Sequence, residues 1–276
     1  MYQRIICLTT ETVEVIYLLG EEDRIVGISG FTTRPAKARR DKPKVSAFTT
    51  AKIDKILDLK PDLVLTCTDL QADIAASLIK AGIEVHAFNQ RSVAQILRMI
   101  LTIGCLLGVQ AKAQQLVDAL EANIVTVKKQ VNHQSVKPRI YFEEWDEPAI
   151  TGIRWVSELI EAAGGIDCFA ELSAFDCAKD RVIAQSDVIA RQPDIVIGSW
   201  CGKKFQPDAV KNRAGWHSIP AVKTGAIFEI KSADILQPGP SVITEGLAQL
   251  QRLILNWQQK SDVKVADKVN SEQPIE

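Results

Sequence analysis

Cys201 stands close in sequence to Lys203, Lys204 and His217, a grouping from which a nucleophile could be built. A catalytic thiol needs a base within hydrogen-bond reach, and spacing along the chain supplies none by itself. The run Glu143-Glu144-Trp145-Asp146-Glu147 offers carboxylates to amide or amine donors or to a metal, and serves equally as a solvated acidic loop. Arg34, Arg39, Arg40, Arg91 and Arg154 carry guanidinium forks, which grip carboxylates with paired hydrogen bonds and persist in partly dry sites. His86, His133 and His217 are the only histidines and no two are spaced as a ligand pair, so a bare-metal site has little support. The G-x-x-x-x-G-K-[ST], G-x-G-x-x-G and G-x-S-x-G signatures are missing, which removes the usual support for nucleotide, dinucleotide and acyl-transfer chemistry. Recognition without catalysis is the expectation.

The elements that must position such residues are announced by a repeat. Ile56-Leu57-Asp58-Leu59-Lys60-Pro61-Asp62-Leu63-Val64-Leu65-Thr66 recurs, with substitutions, as Val188-Ile189-Ala190-Arg191-Gln192-Pro193-Asp194-Ile195-Val196-Ile197-Gly198. In each copy an amphipathic stretch stops before a Pro-Asp pair, which cannot extend a helix, and a run of β-branched and leucine residues follows. The pattern predicts helix, tight turn and buried parallel strand, twice over. The copies lie too far apart for a solenoid, so they point to two α/β lobes, and two lobes imply a cleft that can hold a ligand.

A pass along the chain agrees. It gives strand 5–8, helix 12–19 stopped by Gly20, strand 25–28, and then a long basic loop from 29 to 44 carrying Arg34, Lys37, Arg39, Arg40, Lys42 and Lys44 around Phe31 and Pro35. A helix near 69–81 and a strand at 83–88 continue the βαβ rhythm, and a helix begins at Ser92 and ends near Gly104 or Gly108. From Ala111 to about Val131 there is neither glycine nor proline, so one helix of ~30 Å is expected, an interlobe strut that limits closure. A new strand at Ile140-Tyr141-Phe142 opens the second lobe, and a strand at 226–230, a turn at Pro238-Gly239-Pro240 and a helix to about Trp257 close it. The expected organisation is an N-terminal α/β lobe over 1–108, a linking helix over 109–134, a C-terminal α/β lobe over 135–257 and a flexible tail over 258–276.

Length and charge fit this plan. The 276 residues make about two domains at roughly 150 residues each. A net charge of -1, from 33 basic and 34 acidic residues, gives no field for nucleic acid or an anionic membrane. The six cysteines form no C-x-x-C pair and read as free structural thiols, a usage typical of a reducing compartment. No secretion signal is visible at residues 1–8, and no apolar stretch reaches the ~20 residues that span a bilayer. The chain is therefore expected to be periplasmic if a signal has been removed, and cytoplasmic otherwise.

Several motifs occur in an order that resembles a known family. They are Glu11 with Tyr17-Leu18-Leu19-Gly20 leading to Asp23-Arg24-Ile25-Val26-Gly27; Pro43-Lys44-Val45-Ser46; Leu59-Lys60-Pro61-Asp62; Ala163-Gly164-Gly165; and Gly215-Trp216 followed by Ile219-Pro220-Ala221-Val222. From Arg4 to Trp257 the chain is similar to the class III periplasmic-type substrate-binding proteins, which capture cobalamin, ferric siderophores or haem for ABC importers, and it is nearest the cobalamin-binding branch. The resemblance implies two Rossmann-like lobes with parallel sheets, a single long joining helix and a ligand cleft between the lobes. It also implies no intrinsic cofactor, a monomer, and a small-molecule metal chelate as ligand, most nearly cobalamin or a related corrinoid; the alternatives are ferric siderophore or haem binding, or a cytoplasmic corrinoid or chelate carrier or sensor not coupled to a transporter.

Site residues are expected where strands end, the usual ligand position in open α/β sheets. In the first lobe these are Thr10, Glu11, Arg34, Phe48, Thr68, Asp69, Gln90 and Arg91; in the second, Glu144, Trp145, Arg154, Trp155, Trp200, Trp216 and Gln237. Four of the five tryptophans fall in the second set, which points to a planar or bulky, partly apolar ligand. The resemblance places Trp216 and Phe48 at ligand-facing aromatic positions of cobalamin binders, whereas two further such positions fall here on Cys67 and Ala87. His217, beside Trp216, is a candidate axial ligand to a bound corrinoid or haem iron, because histidine is a common metal ligand. The resemblance implies docking to an ABC permease through an acidic residue on each lobe; Asp73 stands near the first position, and Lys203, Lys204, Lys211 and Arg213 surround the second, where no anchor is recognisable.

Overall fold

A computed structural model describes the backbone of residues 1–131 and 136–271, with side chains up to residue 260. These residues form two compact units, Met1–Ala122 with Gln237–Ser241, and Asn123–Leu236 with the chain from Val242 onward.

The first unit contains strands β1 (Ile5–Cys7), β2 (Ile25–Ser29), β3 (Lys44–Ser46), β4 (Leu63–Cys67) and β5 (Val85–Phe88), and helices α1 (Thr10–Leu18), α2 (Ala36–Asp41), α3 (Ile53–Asp58), α4 (Ala72–Lys80) and α5 (Val93–Leu107). Its sheet runs β3-β2-β1-β4-β5, every pair parallel. Parallel strands covered on both faces read as unbroken apolar runs, and β1 and β4 are buried along their whole length. Ile6, Leu8, Val45, Ile56, Val64, Ile74 and Leu78 form a core under this sheet. The Ser92 side chain caps α5 by accepting from the Gln95 amide at 3.2 Å, and Gly108, at φ +71°, ends the helix in the left-handed conformation that suits glycine.

Helix α6 (Gln110–Val131) follows, and the division between the units falls within it, after Ala122, so it carries the chain from the first unit to the second. The second unit contains β6 (Arg139–Asp146), β7 (Ala149–Thr151), β8 (Ile166–Asp167), β9 (Ile195–Gly198) and β10 (Ile227–Glu229), with α7 (Arg154–Ala162), α8 (Gln185–Arg191), α9 (Pro207–Lys211), α10 (Pro220–Thr224), α11 (Ser232–Ile235) and α12 (Leu247–Ser271). Its sheet runs β10-β9-β6-β7, with β8 also pairing β6; only β7 is antiparallel.

The repeat has a concrete cause. In both copies the residue before proline ends its helix at positive φ, Lys60 at +46° and Gln192 at +47°. The aspartate then ties the turn to the residue entering the neighbouring strand: Asp62 Oδ1 accepts from the Arg4 amide at 2.9 Å, and Asp194 Oδ2 from the Arg139 amide at 2.8 Å. The two arginines return the contact, Arg4 Nε donating to the Leu59 and Lys60 carbonyls and Arg139 Nε to the Arg191 carbonyl. One device thus sets the β1–β4 and the β6–β9 pairings.

The structure corrects three expectations. The basic stretch from 29 to 44 is not all loop, since α2 lies inside it. The closing helix continues past Trp257 to Ser271, as the lack of glycine and proline allows. Gln237–Ser241 belongs with the first unit, because Thr33 donates to Gln237 Oε1 at 2.8 Å, Gln90 to the Pro238 carbonyl at 3.1 Å, and Ser241 to Glu14 at 3.1 Å. His133, the last residues of the stretch expected at 109–134, and positions 272–276 of the expected tail lie outside the described residues. Among the described residues no helix is long and apolar enough to cross a membrane.

Candidate functional site

The loops leaving the carboxyl ends of the first unit's strands carry most of the residues singled out there. Thr10 and Glu11 follow β1, Arg34 follows β2, Phe48 follows β3, Thr68 and Asp69 follow β4, and Gln90 and Arg91 follow β5. Backbone and side-chain bonds tie these loops together. The Gly30 amide donates to the Ser46 carbonyl at 2.8 Å, Thr10 Oγ1 to the Phe31 carbonyl at 3.2 Å, and buried Gln71 to the carbonyls of Leu8 at 3.2 Å and Phe48 at 2.9 Å. Thr68, at φ +44°, turns the chain and accepts from the Leu70 amide.

On this hydrogen-bonded edge three large apolar side chains face solvent: Phe31 is 57 % exposed, Phe48 47 % and Leu70 54 %. Exposed apolar side chains scattered singly need no explanation, but here the loops after β2, β3 and β4, tied together by hydrogen bonds, each present one. Sequence reasoning selected Phe48 and passed over Phe31 and Leu70. Phe31 was legible as an aromatic set in a basic loop, whereas Leu70 gave no signal.

Glu11 is 5 % exposed, and burial pushes its carboxyl above the ordinary range, outweighing hydrogen bonds from its own backbone, Thr9 and Gln90. Gln90 donates to Glu11 Oε1 at 3.4 Å. A buried acid whose native pKa is raised binds its proton more tightly folded than unfolded, so stability is fully present at low pH and falls as pH climbs from about 4.3 through the raised value. Glu11→Gln is therefore expected to melt above the parent at pH 7, with the gap closing towards pH 4; a gap independent of pH would contradict this origin.

In the second unit, Glu143 in β6 is fully buried and accepts four hydrogen bonds from three side chains. Arg213 reaches it with both Nη atoms, at 2.5 and 2.9 Å, Tyr141 donates at 2.9 Å and Trp200 Nε1 at 3.0 Å. Burial works against the Arg213 charge, but the hydrogen bonds and charge of Glu143 prevail and leave its pKa raised. Burial, reinforced by Glu143, pushes the Tyr141 phenol well up and keeps it a donor. Next to Glu143, Glu144 pairs with buried Arg181 at 2.7 Å. Lys203 Nζ lies 2.6 Å from Asp146 Oδ2, 5.0 Å from the Trp200 ring and 5.6 Å from the Trp145 ring.

A pocket of about 500 Å³ opens beside these residues, walled by Asp146, Pro148, Ile183, Gln185, Trp200 and Arg213 among others. Of the residues expected in this lobe, only Trp200 lines it. Trp145 is half-buried nearby, its Nε1 on the Glu147 carbonyl at 2.9 Å. Arg154 binds the Ser173 and Ala174 carbonyls at the start of α7, and Gln237 stands with the first unit. Trp155 and Trp216 are core residues. Trp155 is 4 % exposed with Nε1 on the Ile235 carbonyl at 2.8 Å, and Trp216 is 0 % exposed, packed edge-on to Tyr141 and under Arg213. Their positions at helix and turn starts hid the fact that both face inward.

The thiol grouping does not behave as a nucleophile. Cys201 is pushed up by desolvation and then by the Glu144 charge, the opposite of an activated thiolate, and Lys203 is committed to Asp146. All six cysteines are free, and burial pushes Cys7, Cys67 and Cys168 up to about 12. Among the described residues no three His, Cys, Asp or Glu side chains converge as metal ligands.

Comparison with known proteins adds four findings. A family model described as "Periplasmic binding protein" matches residues 5–233. The chain is 25 % identical over 261 residues to an uncharacterised ABC transporter substrate-binding lipoprotein, YvrC, of Bacillus subtilis, covering 91 % of this chain and 80 % of that one. It is 23 % identical over 260 residues to a cobalamin-binding protein of Halobacterium salinarum, covering 92 % and 70 %. Among solved structures, one described as a possible iron-binding (periplasmic solute-binding) protein from Staphylococcus epidermidis matches with a TM-score of 0.80 at 25 % identity, over 92 % of this chain and 98 % of that one.

Proposed function

The chain belongs to the periplasmic binding protein family, and from that premise we propose that it is an ABC-importer substrate-binding protein whose ligand is a bulky metal chelate, cobalamin or a related corrinoid. The observation that carries this reading is the set of apolar side chains, Phe31, Phe48 and Leu70, held facing solvent by hydrogen-bonded loops at the carboxyl edge of the first unit. A large ligand with an apolar face gives these side chains cover that water does not, and a fixed platform lowers the ordering cost of binding. The cobalamin-binding relative, aligned over 92 % of this chain, supports a corrinoid. A ferric chelate is the second reading, favoured by the iron-binding description of the Staphylococcus structure. On the proposed route the loaded protein hands its ligand to a permease, with Asp73, exposed on the first turn of α4, as a docking residue.

A thermal-shift and absorbance screen against cobalamin, cobinamide, haem and ferric siderophores tests the reading. A corrinoid at a hundred times its Kd is expected to stabilise the protein by about 2.7 kcal/mol. Replacing Phe31 and Phe48 by alanine is expected to weaken that complex by roughly 1–3 kcal/mol, the range for aromatic anchors, with little effect on the melting of the free protein. A response to haem or ferric siderophores alone would overturn the corrinoid assignment.

A further inference from the structure

Arg91, in the first unit, is half-buried and its charge is left without a partner. Its Nε is shielded from solvent, and its guanidinium makes no hydrogen bond or ion pair with any described residue. Other arginines out of full contact with water are committed: Arg24 to Glu21 at 2.9 Å, Arg181 to Glu144 at 2.7 Å, Arg213 to Glu143, and Arg154 to the Ser173 and Ala174 carbonyls. Partly desolvating a cation without a counter-charge is unfavourable, and an anion that reaches it recovers that loss. Arg91 also stands on the edge that carries the exposed apolar side chains. It follows β5, its amide donating to Gln95 Oε1 at 2.5 Å, and the Thr68 amide donates to the Phe88 carbonyl at 2.9 Å, which ties the end of β5 to the turn presenting Leu70. Burial dominates the raised pKa of Cys67 at the end of β4, but the charges of Glu11, Arg91 and Asp69 also reach its thiol, so the guanidinium lies towards β4. Neither acid pairs with it. Glu11 accepts from Gln90 and is pushed towards its neutral form by burial, and Asp69 is exposed to water. One unit thus sets an uncommitted guanidinium fork on the same edge as Phe31, Phe48 and Leu70.

We propose that Arg91 receives the phosphodiester of a corrinoid's nucleotide arm, so that the protein prefers cobalamin, which carries that arm, to cobinamide, which lacks it. This rests on the corrinoid reading and deepens it. The corrin rim of both compounds ends in amides, which leaves the phosphodiester as the anion that distinguishes them, and a guanidinium fork matches two phosphate oxygens with paired hydrogen bonds.

The test titrates wild type, Arg91→Gln and Arg91→Lys with cobalamin and with cobinamide, following absorbance. Wild type is expected to bind cobalamin roughly 10-fold more tightly, as hydrogen bonds between charged groups allow. Arg91→Gln is expected to lose that preference by weakening cobalamin alone, with cobinamide affinity unchanged. Arg91→Lys keeps the charge without the fork and is expected to retain part of the preference. Both variants are expected to melt like the parent, because the Arg91 side chain bonds to nothing in the free protein, and Arg91→Lys decides alone if Arg91→Gln does not fold. Equal wild-type affinity for the two corrinoids, a preference that survives undiminished in the variants, or an equal weakening of both ligands overturns the phosphodiester assignment and leaves the corrinoid reading standing. Binding of neither corrinoid to wild type overturns that reading and this assignment with it.

Discussion

Glu143→Ala is expected to destabilise the protein by about 3–5 kcal/mol, the cost of stripping the partner from a buried charge. The carboxylate is fully buried and is the shared acceptor of Arg213, Tyr141 and Trp200. Without it a largely desolvated guanidinium, a phenol and an indole are left without that acceptor beside β6, the strand on which β7, β8 and β9 all pair. The loss is larger than any one hydrogen bond because the penalty comes from the groups left behind. Glu143→Gln keeps the shape and one acceptor oxygen but leaves the Arg213 charge unpaired, so it is expected to recover only part of the loss. Urea unfolding of the three proteins at neutral pH measures this, and a loss below about 1 kcal/mol for Glu143→Ala would show the network to be dispensable.

Trp216→Ala is expected to cost a similar amount, about 3–5 kcal/mol, for a different reason. Its ring is the largest fully buried side chain, with its centroid 6.1 Å from that of Tyr141 and 4.8 Å from Arg213 Cζ, so truncation opens a cavity in the second unit. The indole Nε1 makes no hydrogen bond. Trp216→Phe therefore loses volume but no polar contact, and it is expected to retain most of the stability and the full affinity for ligand. The resemblance to cobalamin binders implies a ligand-facing tryptophan at this position, which demands the reverse: unchanged stability and weakened binding. Paired unfolding and ligand titrations of Trp216→Phe separate the two.

The parts of the fold legible in the sequence were those enforced by local rules. The Pro-Asp repeat was readable because each copy must solve the same problem, stopping a helix and pinning the entry to a neighbouring strand, and Asp62 and Asp194 do so with equivalent bonds. Helix α6 was readable because nothing within it interrupts a helix. The short α2 inside the basic stretch was not, since Arg39 and Arg40 there are as compatible with a solvated loop. Strand ends marked the loops of the carboxyl edge, yet residue type could not say which way each side chain turns. Four tryptophans looked like a pocket lining, but Trp155 and Trp216 point inward, while Phe31 and Leu70, which carried little sequence signal, point outward. The return of Gln237–Ser241 to the first unit was invisible because it depends on partners as remote as Thr33 and Gln90.

An absorbance titration of wild type with cobinamide, repeated on the Phe31→Ala/Phe48→Ala double variant, decides whether the proposed ligand, a corrinoid, is captured on the carboxyl edge of the strands. Saturable one-to-one binding by wild type, weakened by roughly 5- to 150-fold in a double variant that melts like the parent, is the expected result. No saturable binding by wild type, or equal affinity in both proteins, would contradict it.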